Sequence, residues 1–156
     1  MQGRTDVIEL LNEVLTSELT AINQYFIHAK MQDNWGYRRL ADHTRAESID
    51  EMKHAEMVIE RILYYEGVPN LQRLGAVRVG ETVPEQFRLD LEMEHTAIER
   101  FNRGIVLARD TGDSGTREML AGMLVSEEEH AGYLETQISV IESIGEALYL
   151  SQQLHG

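Results

Sequence analysis

Near the start of the chain Ile8, Leu11, Leu15, Glu18, Ile22 and Tyr25 follow one another at alternating spacings of three and four. That period marks one face of a long amphipathic helix, and Glu18 sits in the middle of its apolar stripe. Asn34-Trp35-Gly36 is the turn into a second helix, expected from about Arg38 to Glu66, with Gly67 and Pro69 as the stop signal. Thr82-Val83-Pro84-Glu85 opens a third helix as a capping box with proline just inside its start. Its stripe runs Phe87, Leu91, Glu94, Ile98, Phe101. After a turn at Gly112-Asp113-Ser114, a fourth stripe runs Leu120, Leu124, Glu127, Ala131, Leu134, Ile138, Ile141. Ser143-Ile144-Gly145-Glu146 then breaks the helix and recaps a short fifth one.

The pattern predicts an all-α chain, with one domain over residues 1–156: a four-helix bundle over about 5–143 and a short helix over about 144–153. The segment from Gly67 to Glu81 decides the topology. A helix of ~28 residues is about 42 Å long, and a connection of ~15 residues reaches up to about 50 Å when extended. It can therefore run the length of the bundle, so a long crossover between the second and third helices is expected. Within it Val77-Arg78-Val79 alternates as an extended segment does. In a two-fold dimer two such segments could pair edge to edge, and the outer face of the first two helices would be buried.

Each of the four expected helices carries one glutamate of a repeat, and three of these lie on the stripes above. Glu94, Glu127 and His130 follow Glu18, Glu51 and His54 by the same 76 positions. Glu51/His54 and Glu127/His130 stand at i, i+3, so each pair occupies one face of a helix. The six side chains make a two-fold-symmetric cage of four carboxylates and two imidazoles, the ligand set of bundle proteins that hold two iron or manganese ions. Glu51 and Glu127 are the expected bridges, with Glu18 and His54 on one ion and Glu94 and His130 on the other. A single Glu-x-x-His is weak evidence, and the chain has a third at Glu92/His95. Shifted back by the repeat, those two fall on Thr16 and Leu19, and they lie off the third stripe, so they are read as outward-facing.

Energetics support the repeat. Four carboxylates meeting inside a bundle would each cost several kcal/mol and would repel one another unless cations neutralised them. Oxygen and nitrogen donors without thiolate suit iron or manganese, whereas zinc would bring no redox chemistry.

The net charge of −13 disfavours nucleic acid as a partner and is compatible with attracting cations. The absence of cysteine excludes thiolate metal sites and fits a cytoplasmic location. No segment is apolar enough for a membrane span or a secretory signal.

Several blocks spread from end to end resemble those of the bacterioferritins. They are Asn23-Gln24-Tyr25-Phe26, Glu47 to Glu56, Arg61-Ile62-Leu63, Gly67 to Gln72, Ser126 to His130, and Tyr133 to Gln137. The resemblance implies a hollow shell of 24 subunits built from two-fold dimers, in which Fe(II) is oxidised by O2 or peroxide at the dinuclear centre and stored as ferric mineral. It implies haem b between two subunits, held by one methionine from each, and the matching residue is Met52. A reductant ferredoxin is a candidate partner for iron release. Asp50 matches a family residue of the inner surface that takes part in iron binding, although Ala46 stands where many members carry a histidine. Tyr25 is either a donor near the irons or a packed core residue, and its counterpart in the repeat is Phe101. His28, His43 and His155 fall outside the repeat and are read as surface residues. The alternatives are a di-iron oxidase or oxygenase that stores nothing, and a purely structural helical module, against which the carboxylate cost argues.

Overall fold

A computed structural model describes residues 4–155. Five helices follow in order: α1 (Thr5–Asn34), α2 (Arg38–Tyr64), α3 (Val83–Asp110), α4 (Ser114–Ile144) and α5 (Glu146–Ser151). There is no strand among the described residues. α1 packs along α2, α3 along α4, and α1 joins the two pairs through α3.

The helix ends follow from local chemistry. Thr82 Oγ1 accepts from the Glu85 N–H at 3.2 Å, as the capping box predicts, but the Glu85 carboxylate turns to the N–H of Glu81 instead of Thr82. α1, α2 and α3 all end in the same double bond from a left-handed residue and its successor, the Schellman arrangement. Gly36 and Gly112 supply the left-handed residue in two of them. In α2 it is Glu66, at φ 58°, so the helix stops at Tyr64, two residues before the expected end. Gly67 serves close packing instead. A Cβ there would stand 2.8 Å from Ile8 Cγ2, so glycine lets the crossover leave close against α1.

The crossover does run the length of the bundle, and α1 holds it by a polar ladder spaced four residues apart. Asn12 accepts from Asn70 N–H at 2.8 Å, Thr16 from Arg73 Nε at 2.9 Å, and Thr20 from Gly75 N–H at 2.9 Å. Gln24 accepts from Arg78 N–H at 3.1 Å, and His28 Nε2 from Gly80 N–H at 2.9 Å. Because Nε2 accepts, the imidazole proton sits on Nδ1, where it faces Asp90 Oδ1 at 2.9 Å. His28 is thus fully buried, which corrects its reading as a surface residue. His43 and His155 are exposed. The crossover returns parallel to α1, so α2 and α3 point the same way. Val77 and Val79 lie exposed in irregular backbone.

Two apolar clusters fill the bundle. One gathers Leu11, Leu15, Val58, Ile62, Phe101 and Leu120; the other gathers Leu40, Val83, Phe87, Leu134 and Tyr149, the last from α5. Each fully buried side chain of this kind contributes about 1.5–3 kcal/mol. The layer between the clusters is where the carboxylates lie.

One prediction tests the crossover. A Cβ on Gly80 would fall 2.6 Å from the backbone nitrogen of Gln86 and 2.8 Å from its Cα, neither of which can swing aside. Gly80→Ala should therefore lower stability by about 1–3 kcal/mol, the usual cost of forced backbone shifts. A denaturant midpoint equal to wild type would show that the crossover is not clamped there.

Candidate metal centre

Each of the four long helices delivers one glutamate to the layer between the apolar clusters. Glu18 of α1, Glu51 of α2, Glu94 of α3 and Glu127 of α4 are all buried, none more than 1% exposed. The helical i, i+3 spacing then places His54 beside Glu51 and His130 beside Glu127. Ligand atoms of Glu18, Glu51, His54 and Glu127 lie within 4.8 Å of one another, as do those of Glu51, Glu94, Glu127 and His130. The two groups share Glu51 and Glu127. The six residues singled out by the repeat are therefore brought together, in the pairing the repeat anticipates. Glu92 and His95 of the third Glu-x-x-His are exposed.

The imidazoles present Nδ1 to the carboxylates. His54 Nδ1 stands 2.9 Å from Glu127 Oε1, 3.5 Å from Glu18 Oε2 and 3.8 Å from Glu51 Oε1. His130 Nδ1 stands 3.1 Å from Glu51 Oε1, 3.6 Å from Glu94 Oε1 and 3.7 Å from Glu127 Oε2. Both oxygens of Glu18 and of Glu51, one each of Glu94 and Glu127, and His130 Nδ1 are buried without a hydrogen-bond partner. Buried polar atoms are almost always satisfied, so these carboxylate oxygens gathered beside two imidazoles form a donor set that suits divalent cations. Oxygen and imidazole donors fit iron, manganese or zinc.

The electrostatics agree. Burial pushes Glu18, Glu51 and Glu94 well above the ordinary carboxylate value, and the neighbouring carboxylates push them further. Burial opposes charge on His54 and His130, yet the surrounding carboxylates, Glu127 foremost, outweigh it and raise both. A divalent cation would take over the neutralising role that bound protons play for Glu18, Glu51 and Glu94.

Tyr25 donates to Glu94 Oε1 at 2.5 Å and meets His130 edge-on, 6.2 Å between ring centroids. Of the two readings offered by the sequence, both apply: the ring is packed in the core and the hydroxyl touches the centre. Burial, then Glu94, hold its pKa well up, so it stays protonated.

Glu47 is a residue that the sequence pattern does not single out. It lies one turn before Glu51 on α2, and its Oε2 stands 2.6 Å from His130 Nε2. Glu47 Oε1 pairs with His43 Nε2 at 2.8 Å, and His43 stacks on Tyr133 with ring centroids 3.9 Å apart. Burial opposes its charge, but His130 and His43 prevail and hold Glu47 below its ordinary value. An anionic carboxylate on Nε2 orients the ring and keeps Nδ1 toward the centre, a familiar outer-sphere arrangement. Asp50 Oδ2 lies 3.5 Å from the same nitrogen, and Glu47, Asp50 and His130 form a third group of potential ligands. The spacing of Glu47 from Glu51 is visible in the sequence; its partner on α4 is not.

Met52 is 46% exposed while its neighbour Glu51 is wholly buried. Ile49 on the same helix and Phe26 on α1 are exposed apolar side chains too.

Comparison with known proteins follows the same lines. A ferritin-like domain family matches residues 8–144. A bacterioferritin of Mycobacterium tuberculosis is 54% identical over 152 residues, covering 97% of this chain and 96% of that protein. A bacterioferritin of Streptomyces coelicolor is 55% identical over 151 residues, covering 97% and 90%. One of Rhodobacter capsulatus is 42% identical over 145 residues, covering 93% and 90%.

Proposed function

The chain belongs to the bacterioferritin family, and from that premise we propose that it is an iron-storage protein that oxidises its own cargo. Iron storage is the function of the family, and the carboxylate–imidazole layer is compatible with a di-iron site. The observation that carries the ferroxidase reading is that layer: orphaned buried carboxylate oxygens from four helices, converging with two imidazoles between two apolar clusters.

In this reading Glu18 and His54 would hold one ferrous ion and Glu94 and His130 the other, with Glu51 and Glu127 shared between the two groups. Four ferrous ions each give up one electron to one dioxygen, which leaves with four protons as two waters. Glu47 positions His130, and Tyr25 holds its proton at Glu94. Glu47 with Asp50 offers an acidic group on the far side of His130, and Ala46 adds no ligand there, so Asp50 is a candidate iron ligand only together with Glu47. The multimeric shell of the family is proposed here as 24 subunits built from two-fold dimers. Exposed Val77 and Val79 are available for the pairing across such a dimer. No helix among the described residues is long and apolar enough to cross a membrane, and a cytoplasmic location with a ferredoxin as reductant completes the proposal. Anaerobic ferrous titration of the metal-free protein tests the centre: saturation at two ions per subunit supports it, and no saturable binding would refute it. Oxygen uptake tied to iron alone, without an organic co-substrate, separates storage from an oxygenase.

Haem is proposed at Met52. A thioether is a soft axial donor that raises the potential of a haem iron, and bound haem would supply an electron path. Met52 fits because it is half exposed, as is Ile49 one turn earlier on the same helix, so its sulfur is open to a ligand shared with a partner. With one such methionine per chain, two chains would together hold one haem. Met52→Leu should lose the haem Soret absorbance while retaining assembly and ferrous oxidation. Haem kept at one per dimer in that variant would place the axial ligand elsewhere.

A further inference from the structure

Between α1, α3 and the crossover lies a cavity of about 220 Å³ whose lining is unlike the rest of this acidic chain. Against 27 acidic residues and 14 lysines and arginines overall, two arginines and no acidic side chain line it. Arg100 is held in place by giving Nη1 to Ser17 Oγ at 2.7 Å and to the Glu13 carbonyl at 3.4 Å. Arg78 gives Nη2 to Glu92 at 2.6 Å, while Gln24, itself lining the cavity, fixes the Arg78 backbone. Among the described residues no protein acceptor takes the remaining N–H groups of either guanidinium. Ser17 accepts from Arg100 and has its own proton left to donate.

We propose that this cavity binds a small phosphate-class oxyanion. A guanidinium presents a planar fork that matches a tetrahedral oxyanion bidentately, and its bonds to an anion are charge-assisted. Here two arginines line one recess, the Arg100 guanidinium held by Ser17 and Glu13 of α1 and the Arg78 guanidinium by Glu92 of α3. The crossover is part of the binding surface, since Arg78 and Gly75 come from it and both are fixed by the α1 ladder. The site is separate from the carboxylate centre: it shares none of the six residues, and its ligand carries the opposite charge. Free phosphate and a small phosphate monoester present the same oxygens, and the cavity is open to either.

The test uses the assembled, metal-free protein, so that iron cannot bind the anion and the iron-storage reading is not at issue. Inorganic phosphate and glycerol phosphate are titrated separately, followed by calorimetry and phosphorus NMR line width. Saturable binding near one per subunit is expected, weakened by added salt. Arg100→Gln and Arg78→Gln should each weaken it about tenfold, the loss of one charge-assisted contact. Arg88→Gln, at an exposed position outside the cavity, should change nothing. Phosphate alone binding assigns the site to the free anion, and tighter binding of the ester assigns it to a monoester. If Arg100→Gln proves unstable, Arg78→Gln carries the test, since Arg78 is exposed. Binding that does not saturate, or that survives the arginine substitutions at wild-type strength, would overturn the proposal.

Discussion

Glu127→Ala is expected to slow the initial oxidation of ferrous iron by more than the roughly 10–100-fold that loss of an outer partner costs a metal site. The reason is its place in both ligand groups. One oxygen lies 2.9 Å from His54 Nδ1 and the other 3.7 Å from His130 Nδ1, so in the proposed centre the side chain would serve both ions. Its removal takes a bridge from each ion at once, whereas loss of Glu18 or Glu94 would take one terminal ligand. The fold should survive, because deleting one of four crowded carboxylates relieves repulsion and desolvation in the metal-free state. Stopped-flow ferric absorbance after mixing with ferrous iron measures the rate, with circular dichroism and gel filtration as checks on fold and assembly. Glu92→Ala is the control, since Glu92 belongs to the exposed third Glu-x-x-His and should oxidise iron normally. Oxidation at the wild-type rate in Glu127→Ala would remove the six-residue assignment.

The sequence made the inward faces of the helices legible and the outward ones much less so. An apolar stripe announces burial by itself, so Leu11, Leu15, Phe87, Phe101 and Leu120 could be placed without knowing what they touch. Glu18, Glu94 and Glu127 were legible because they interrupt such stripes, and Glu51 because the repeat maps it onto Glu127. The ladder Asn12, Thr16, Thr20, Gln24, His28 has an equally regular spacing, yet a polar row every four residues looks like a solvated face. Only the crossover lying on it makes it buried, and nothing in α1 says that residues 68–80 will come to rest there. His28 was misjudged for that reason. Glu47 was missed because its role depends on His130 of another helix, a tertiary contact with no local signature. The end of α2 shows a smaller failure of the same kind. Glycine after a helix normally marks the left-handed position, but here Gly67 is needed for close approach to Ile8, and Glu66 takes the strained backbone.

The metal-free protein should lose stability as the pH rises from about 5 to 8, and bound divalent cations should restore it increasingly over the same range. The sign follows from which state holds the protons. Glu18, Glu51 and Glu94 are raised in the folded chain, chiefly by burial, above the 4.5 of a free carboxyl. Above that value the unfolded chain has released protons that the folded chain still carries, so stability is present at low pH and is lost as pH climbs through the folded values. His54 and His130 are raised above 6.5 by the carboxylates around them, and they act in the same direction. Each proton held only by the folded state contributes a slope of about 1.4 kcal/mol per pH unit. Glu47 and Asp113 are lowered and act oppositely, but their stabilisation is lost only as pH falls below the ordinary carboxylate range. Cations reverse the trend because binding requires deprotonated ligands and therefore strengthens as pH rises. A cation at about 100 times its dissociation constant adds about 2.7 kcal/mol per site. Denaturant midpoints measured with and without manganese, a redox-quiet probe, should therefore diverge steadily with pH. Glu18→Gln should flatten the metal-free curve by removing one of the groups that must ionise. Metal-free stability that instead rises between pH 5 and 8, with a cation effect independent of pH, would mean that Glu18, Glu51 and Glu94 do not hold protons in the folded chain.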